Sequence, residues 1–169
     1  MKKLITLFLL IMVMTPLMAE TPPYDINLSC GNTISNNLVG TSSIPIELKA
    51  YLNATEGYDL SIIFGSGIAY NTKTPIVNNI SFEDFLMLKL YAGLEYKLNE
   101  TTKISTILST GIGKYLAPSN LYFASYSLLA DFKYFFMDDL YIAPGIEIEN
   151  TSDFFYLKTK LSLGVIVWL

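Results

Sequence analysis

The feature that most constrains this chain is an alternation with a period of two residues. Leu86, Leu88, Leu90, Ala92, Leu94, Tyr96 and Leu98 share one parity, and Met87, Lys89, Tyr91, Gly93, Glu95 and Lys97 share the other. Successive side chains of a strand point to opposite faces, so this stretch has one oily face and one mixed face. A helix of 3.6 residues per turn would scatter the leucines around its whole circumference.

The same alternation divides the chain beyond residue 19 into eight segments, at 24–31, 44–54, 58–70, 85–98, 102–113, 122–136, 140–149 and 154–169. The connections after the second, fourth and sixth are short: Thr55-Glu56-Gly57, Asn99-Glu100-Thr101 and Met137-Asp138-Asp139. Those after the first and third are long, at 32–43 and 71–84, and those after the fifth and seventh, at 114–121 and 150–153, are intermediate. Short turns on one side and longer loops on the other describe an antiparallel up-and-down meander. Parallel pairing would need crossover connections for which there is no room. Pro144 removes one ladder donor from the seventh segment, and a bulge is expected there.

Composition excludes several alternatives. The 169 residues are 51% apolar and 14% aromatic but only 15% charged, which favours burial over disorder. Lys+Arg 11 against Asp+Glu 15 leaves no basic footprint for a nucleic acid. No apolar run beyond residue 19 reaches the ~18 residues of a transmembrane helix. Cys30 is the single cysteine, so an intrachain disulfide framework and a cysteine-rich metal site are excluded.

Residues 1–19 have the layout of a cleaved signal peptide. Lys2-Lys3 precede an apolar run at 4–14 broken only by Thr6, then Thr15-Pro16 and the small terminal residue of Leu17-Met18-Ala19. The alternative is an uncleaved anchor. Cys30 lies too far beyond the run, after Asp25 and Asn27, for a lipoprotein. Loss of Lys2 and Lys3 would take the net charge from −4 to −6, leaving one domain at 20–169.

Alternation alone does not say which face is outside. The apolar parity carries no charge in any segment. The other parity carries Asp25, Glu47, Lys49, Asp59, Lys89, Glu95, Lys97, Lys103, Asp131, Lys133, Glu147, Glu149, Lys158 and Lys160, seven acids and seven lysines. A solvent-facing surface has no need of such balance, whereas in a narrow dry lumen unpaired charge is costly. Glu147 and Glu149 are expected to face Lys158 and Lys160 across one hairpin, and Glu95 to sit diagonally from Lys103 across another. Eight of the ten glycines share the charged parity, where they make room for long side chains in a tight barrel. Apolar-face aromatics gather near strand ends: Tyr24, Tyr58, Tyr96, Phe132, Tyr134 and Phe136 at the short-turn end, Tyr70, Tyr122 and Phe155 at the other. Two such girdles suit the two interfaces of a bilayer. Thr102, Thr106 and Thr110 fit less well, because the pattern turns them toward lipid. Closure of the first strand on the eighth removes the open edges that lipid does not tolerate.

The chain ends Ser162-Leu163-Gly164-Val165-Ile166-Val167-Trp168-Leu169. Ser162, Gly164 and Val167 resemble the C-terminal assembly signal of bacterial outer-membrane barrels, with Leu169 in place of the usual terminal aromatic residue. The region 20–169 is similar to the small eight-stranded barrels of the OmpX and OmpA transmembrane-domain group. That resemblance implies an all-β, eight-stranded, antiparallel transmembrane β-barrel with short periplasmic turns and longer extracellular loops. It also implies export, insertion by the outer-membrane assembly machinery and contact with outer-membrane lipid.

No cofactor or metal is expected, and the chain is expected to be a monomer without a nucleic-acid partner. Outer-membrane enzymes similar in fold build their sites around His, and this chain has none, so a Ser–His–Asp arrangement is impossible. Glu147 and Glu149 are read as members of a structural ion ladder rather than as an acid–base pair. Gly111-Ile112-Gly113-Lys114 lacks the spacing of a phosphate loop. Three functional readings remain: a barrel with a filled lumen that interacts through its loops, a narrow pore gated by the ion ladder, and a soluble lipocalin-like barrel holding an apolar ligand. None names an extracellular partner.

Overall fold

The computed structural model describes residues 23–35, 42–54, 59–72, 84–116, 121–151 and 155–168. The leader at 1–19, Tyr58 and Leu169 lie outside the described residues. The strands are β1 (Tyr24–Ser35), β2 (Pro45–Asn53), β3 (Leu60–Asn71), β4 (Phe85–Asn99), β5 (Thr102–Tyr115), β6 (Tyr122–Phe135), β7 (Leu140–Thr151) and β8 (Phe155–Val167). Each pairs antiparallel with the next, and β1 pairs with β8 from Tyr24↔Val167 to Ser35↔Tyr156, so the sheet closes as an eight-stranded barrel.

The first hairpin runs further than its sequence suggests. β1 continues to Ser35 and pairs with Ser42–Ser43, a short piece that continues β2 beyond Ile44. Much of the expected loop at 32–43 is therefore ladder. Pro144 causes no bulge. The β6–β7 register is the same on both sides of it, Asp131↔Gly145 and Tyr134↔Ile142, with only the intervening pairs missing. The irregularity lies in β4–β5 instead, where Lys97↔Lys103 is followed by Asn99↔Thr102 and Leu98 is the extra residue. Thr102, next to this shift, is buried rather than lipid-facing, while Thr106 and Thr110 are exposed as expected.

The apolar parity faces outward. Leu48, Leu88, Leu108, Ile112 and Leu163 are each more than half exposed, whereas Lys49, Lys89, Glu147 and Glu149 are buried. A soluble barrel would show the reverse. The girdle aromatics Tyr96, Phe132, Tyr134 and Phe136 lie on the outer wall at the short-turn end, and Tyr122 at the long-loop end.

In the narrow interior, several of the large inward side chains stand across the ladder from glycine. Gly164 faces Tyr141, Gly113 faces Phe123, Gly65 faces both Tyr51 and Tyr91, and Gly67 faces both Lys49 and Lys89. A Cβ at Gly164 would overlap the Tyr141 ring, 2.1 Å from its Cζ, and one at Gly113 would overlap the Phe123 ring, 2.2 Å from its Cζ.

Candidate functional site

The inward parity of all eight strands builds a lumen in stacked layers. Nearest the short turns is an ionic layer centred on Lys133 of β6. Its Nζ lies 2.6 Å from Asp25 Oδ2 on β1 and 2.5 Å from Glu95 Oε2 on β4. Lys103 takes the other Glu95 oxygen at 2.9 Å, the diagonal contact expected across β4–β5. Tyr141 donates its hydroxyl to Asp25 and accepts from Asn27 Nδ2 at 3.0 Å.

Above this layer sits a belt of Tyr51, Ile63, Tyr91, Ile107 and Leu129, all buried. The two tyrosine rings meet edge to face with centroids 5.4 Å apart. The Tyr91 hydroxyl donates to Glu47 and so joins the belt to a second ionic layer.

Lys89 is the hub of that second layer. Its Nζ is 2.8 Å from Glu147 Oε1, 2.9 Å from Glu149 Oε1 and 3.8 Å from Glu47 Oε1. Lys160 bridges Glu147, at 2.5 Å, and Glu47, while Lys158 pairs with Glu149. The Ser127 hydroxyl donates to Glu147 at 2.6 Å. The pairs between β7 and β8 are diagonal, since the register sets Glu147 opposite Lys158 and Lys160 opposite Gly145. Toward the long loops, Phe85, Met87, Ala69 and Phe123 close the lumen with Tyr115 packed against them.

Three expected ladder members behave differently. Lys97 is exposed at the rim and makes no ion pair among the described residues. The register sets it directly opposite Lys103, an unfavourable like-charge position, and Glu95 is already held by Lys103 and Lys133. Asp131 is buried and accepts from Ser105, and it pairs with no lysine among the described residues. Lys49 is buried 3.9 Å from Glu47 Oε2, and its Nζ has no hydrogen-bond partner among the described residues. Its ammonium lies 5.9 Å from the Tyr51 ring centroid.

With Lys97 and Asp59 on the rim, the lumenal set is Asp25, Glu47, Glu95, Asp131, Glu147 and Glu149 against Lys49, Lys89, Lys133, Lys158, Lys160 and the partly exposed Lys103. The lumen is neutral, six against six. Sequence reasoning missed the polar partners that complete it, Tyr91, Tyr141, Ser105 and Ser127. Their inward parity was the available signal. Of the C-terminal motif, Ser162 and Gly164 face inward, the latter under Tyr141, while Val167 closes the β1–β8 ladder opposite Tyr24.

These features define a small eight-stranded barrel of the outer-membrane type, with a filled lumen and an apolar outer wall. Solved outer-membrane proteins share the fold. Ail, the attachment invasion locus protein of Yersinia pestis, aligns over 88% of this chain and 100% of its own at 13% identity, with a TM-score of 0.56. The N-terminal barrel of Pseudomonas aeruginosa OprF aligns over 87% and 98% at 10% identity, with a TM-score of 0.57. Neisserial surface protein A aligns over 87% and 96% at 14% identity, also at 0.57. No protein-family model and no curated protein matches the chain.

Proposed function

We propose that this chain is a monomeric integral protein of the bacterial outer membrane, exported by a cleaved leader at 1–19. Its short turns would face the periplasm and its longer loops the exterior. Its role is structural or interactive, exercised through the loops, and neither catalysis nor transport is assigned to the lumen. The observation that carries this reading is the lumen itself. Two ionic layers, a tyrosine belt and an aromatic closure fill it, and eight strands leave room for little besides side chains. The apolar wall supports a bilayer as the surrounding solvent. Ail shares the fold and is named the attachment invasion locus protein, which is compatible with a role at the cell surface.

The test is fractionation of cells expressing the full chain, followed by electrophoresis with and without boiling. Recovery in outer membranes with heat-dependent migration is expected, and a freely soluble mature protein would refute the assignment. Planar-bilayer recording then separates a filled barrel from a pore. Little steady conductance is expected, and a large stable channel would overturn the filled-lumen reading.

A further inference from the structure

Ten of the twelve lumenal charges meet an opposite charge directly. The other two are Lys49 of β2 and Asp131 of β6. Among the described residues Lys49 comes no closer than 3.9 Å to a carboxylate, and Asp131 pairs with no lysine. Both are buried, Lys49 completely. Since the lumen is neutral, six against six, these two charges are each other's complement. Asp131 lies within electrostatic reach of both the Lys49 ammonium and the Tyr51 hydroxyl.

Three buried groups without a hydrogen-bond partner among the described residues stand on this side of the lumen: Lys49 Nζ, the Tyr51 hydroxyl and Asn27 Oδ1. Their hydrogen-bonding characters are complementary. The ammonium only donates, the hydroxyl donates and accepts, and the Asn27 carbonyl accepts. The Asn27 amide nitrogen is already committed to the Tyr141 hydroxyl at 3.0 Å, so the carbonyl is the end left over. Asn27 lies directly opposite Lys49 in the β1–β2 ladder, and Lys49 Nζ is 5.9 Å from the Tyr51 ring centroid. On the other side of β2, Lys49 and Tyr51 face Gly67 and Gly65, which offer no side-chain partner.

Buried polar groups left unbonded are costly, and a buried ammonium most of all. An anion here would meet Glu47 and Asp131, a cation would meet Lys49, and either would unbalance the lumen. A small neutral molecule that both donates and accepts satisfies every group. We propose that ordered water occupies this place, accepting from Lys49, bonding the Tyr51 hydroxyl and Asn27 Oδ1, and joining Lys49 to Asp131 as a solvent-separated ion pair. Such water needs no open path from either end, because the barrel encloses it as it closes.

The experiment uses the full chain folded in detergent, with its lysine side chains labelled with nitrogen-15. A water-selective nuclear Overhauser measurement should give a cross-peak with the sign of a long-lived water at the Lys49 ammonium. That signal is identified by its loss in Lys49→Met, or in the charge-retaining Lys49→Arg should the first not fold. Tyr51→Phe supplies a second readout and removes only a hydroxyl. A hydroxyl bonded to water stabilises the barrel, so the folding equilibrium constant should fall about fivefold, measured by urea unfolding in lipid vesicles. A hydroxyl with no partner at all is a burden, and its removal would leave that constant unchanged or raise it. A Lys49 signal without a water cross-peak, a Lys49 resonance at the position of a neutral amine, or a Tyr51→Phe barrel at least as stable as the unaltered one would overturn the proposal.

Discussion

Lys89→Met tests whether the upper ionic layer holds the barrel together. The substitution keeps the length of the side chain and removes its charge. Lys89 makes two contacts at 2.8 and 2.9 Å and a third at 3.8 Å. At an effective dielectric constant of ~20, the first two amount to about 6 kcal/mol each and the third to about 4 kcal/mol of gross attraction. Desolvation of the ammonium and repulsion from Lys160 offset most of that. Breaking a buried pair by removing one partner costs about 3–5 kcal/mol net. Glu147 keeps Lys160 and Glu149 keeps Lys158, which places the expected loss near the lower end, about 3 kcal/mol. The assay is reversible urea unfolding in lipid vesicles, followed by Trp168 fluorescence. Lys97→Met is the control, since Lys97 makes no ion pair among the described residues, and should stay within about 0.5 kcal/mol. The double variant Lys89→Met, Glu149→Gln should lose less than the sum of its parts, by about 0.5–3 kcal/mol of coupling. A Lys89→Met barrel as stable as the unaltered one, or strict additivity in the double variant, would refute the account of the lumen as a connected ionic network.

Other perturbations probe the wall and its packing. Leu90→Lys puts a charge on the outer face near the middle of β4 and should cost about 2–4 kcal/mol, whereas Leu98→Lys beside the short turn should cost about 0–1 kcal/mol; equal costs would show that depth in a bilayer does not govern this face. Gly164→Ala drives a methyl group into the Tyr141 ring and disturbs that ring's bonds to Asp25 and Asn27, with an expected loss of about 1–3 kcal/mol by the same unfolding assay; an unchanged midpoint would remove the packing role of Gly164. Cys30 is exposed on the outer wall, so in vesicles a membrane-impermeant maleimide should label it only after denaturation; rapid labelling of the folded protein would place that wall in water.

The face of each strand was legible because it depends only on parity. Leu86 to Leu98 reads the same way in the sequence as on the wall. The partners of the lumenal charges were legible only within a hairpin, as for Glu95 with Lys103. Lys89 and Glu147 are 58 residues apart, and Lys133 and Asp25 are 108 apart. Alternation assigns such residues to the lumen but gives neither height nor azimuth, which arise from closure and strand stagger. Lys97 was misplaced for a related reason. Its parity is inward, but the extra residue at Leu98 and the opposing Lys103 leave it at the rim. Pro144 failed in the other direction, since a residue without an N–H was accommodated by leaving neighbouring pairs unmade rather than by shifting register.

The charges and the glycines constrain different errors of assembly. Buried ion pairs are weak evidence of stability, because desolvation consumes most of their attraction. Their effect here is on parity. A slip of one residue in any strand would carry its lysines and carboxylates to the lipid face, where each lysine at mid-depth costs about 2–4 kcal/mol. A slip of two residues preserves parity, so the charges alone do not resist it. The glycines do. Moving β7 by two residues along β8 would set Tyr141 against Ser162 or Ile166 instead of Gly164, and Lys160 against Ala143 or Glu147 instead of Gly145. No space exists there for the Tyr141 ring, which now lies where a Cβ on Gly164 would stand. Charge thus selects which face is inward, and the pairing of large residues with glycine selects which residues meet. Both selections are needed before an ammonium on β4 can reach two carboxylates on β7 across the barrel.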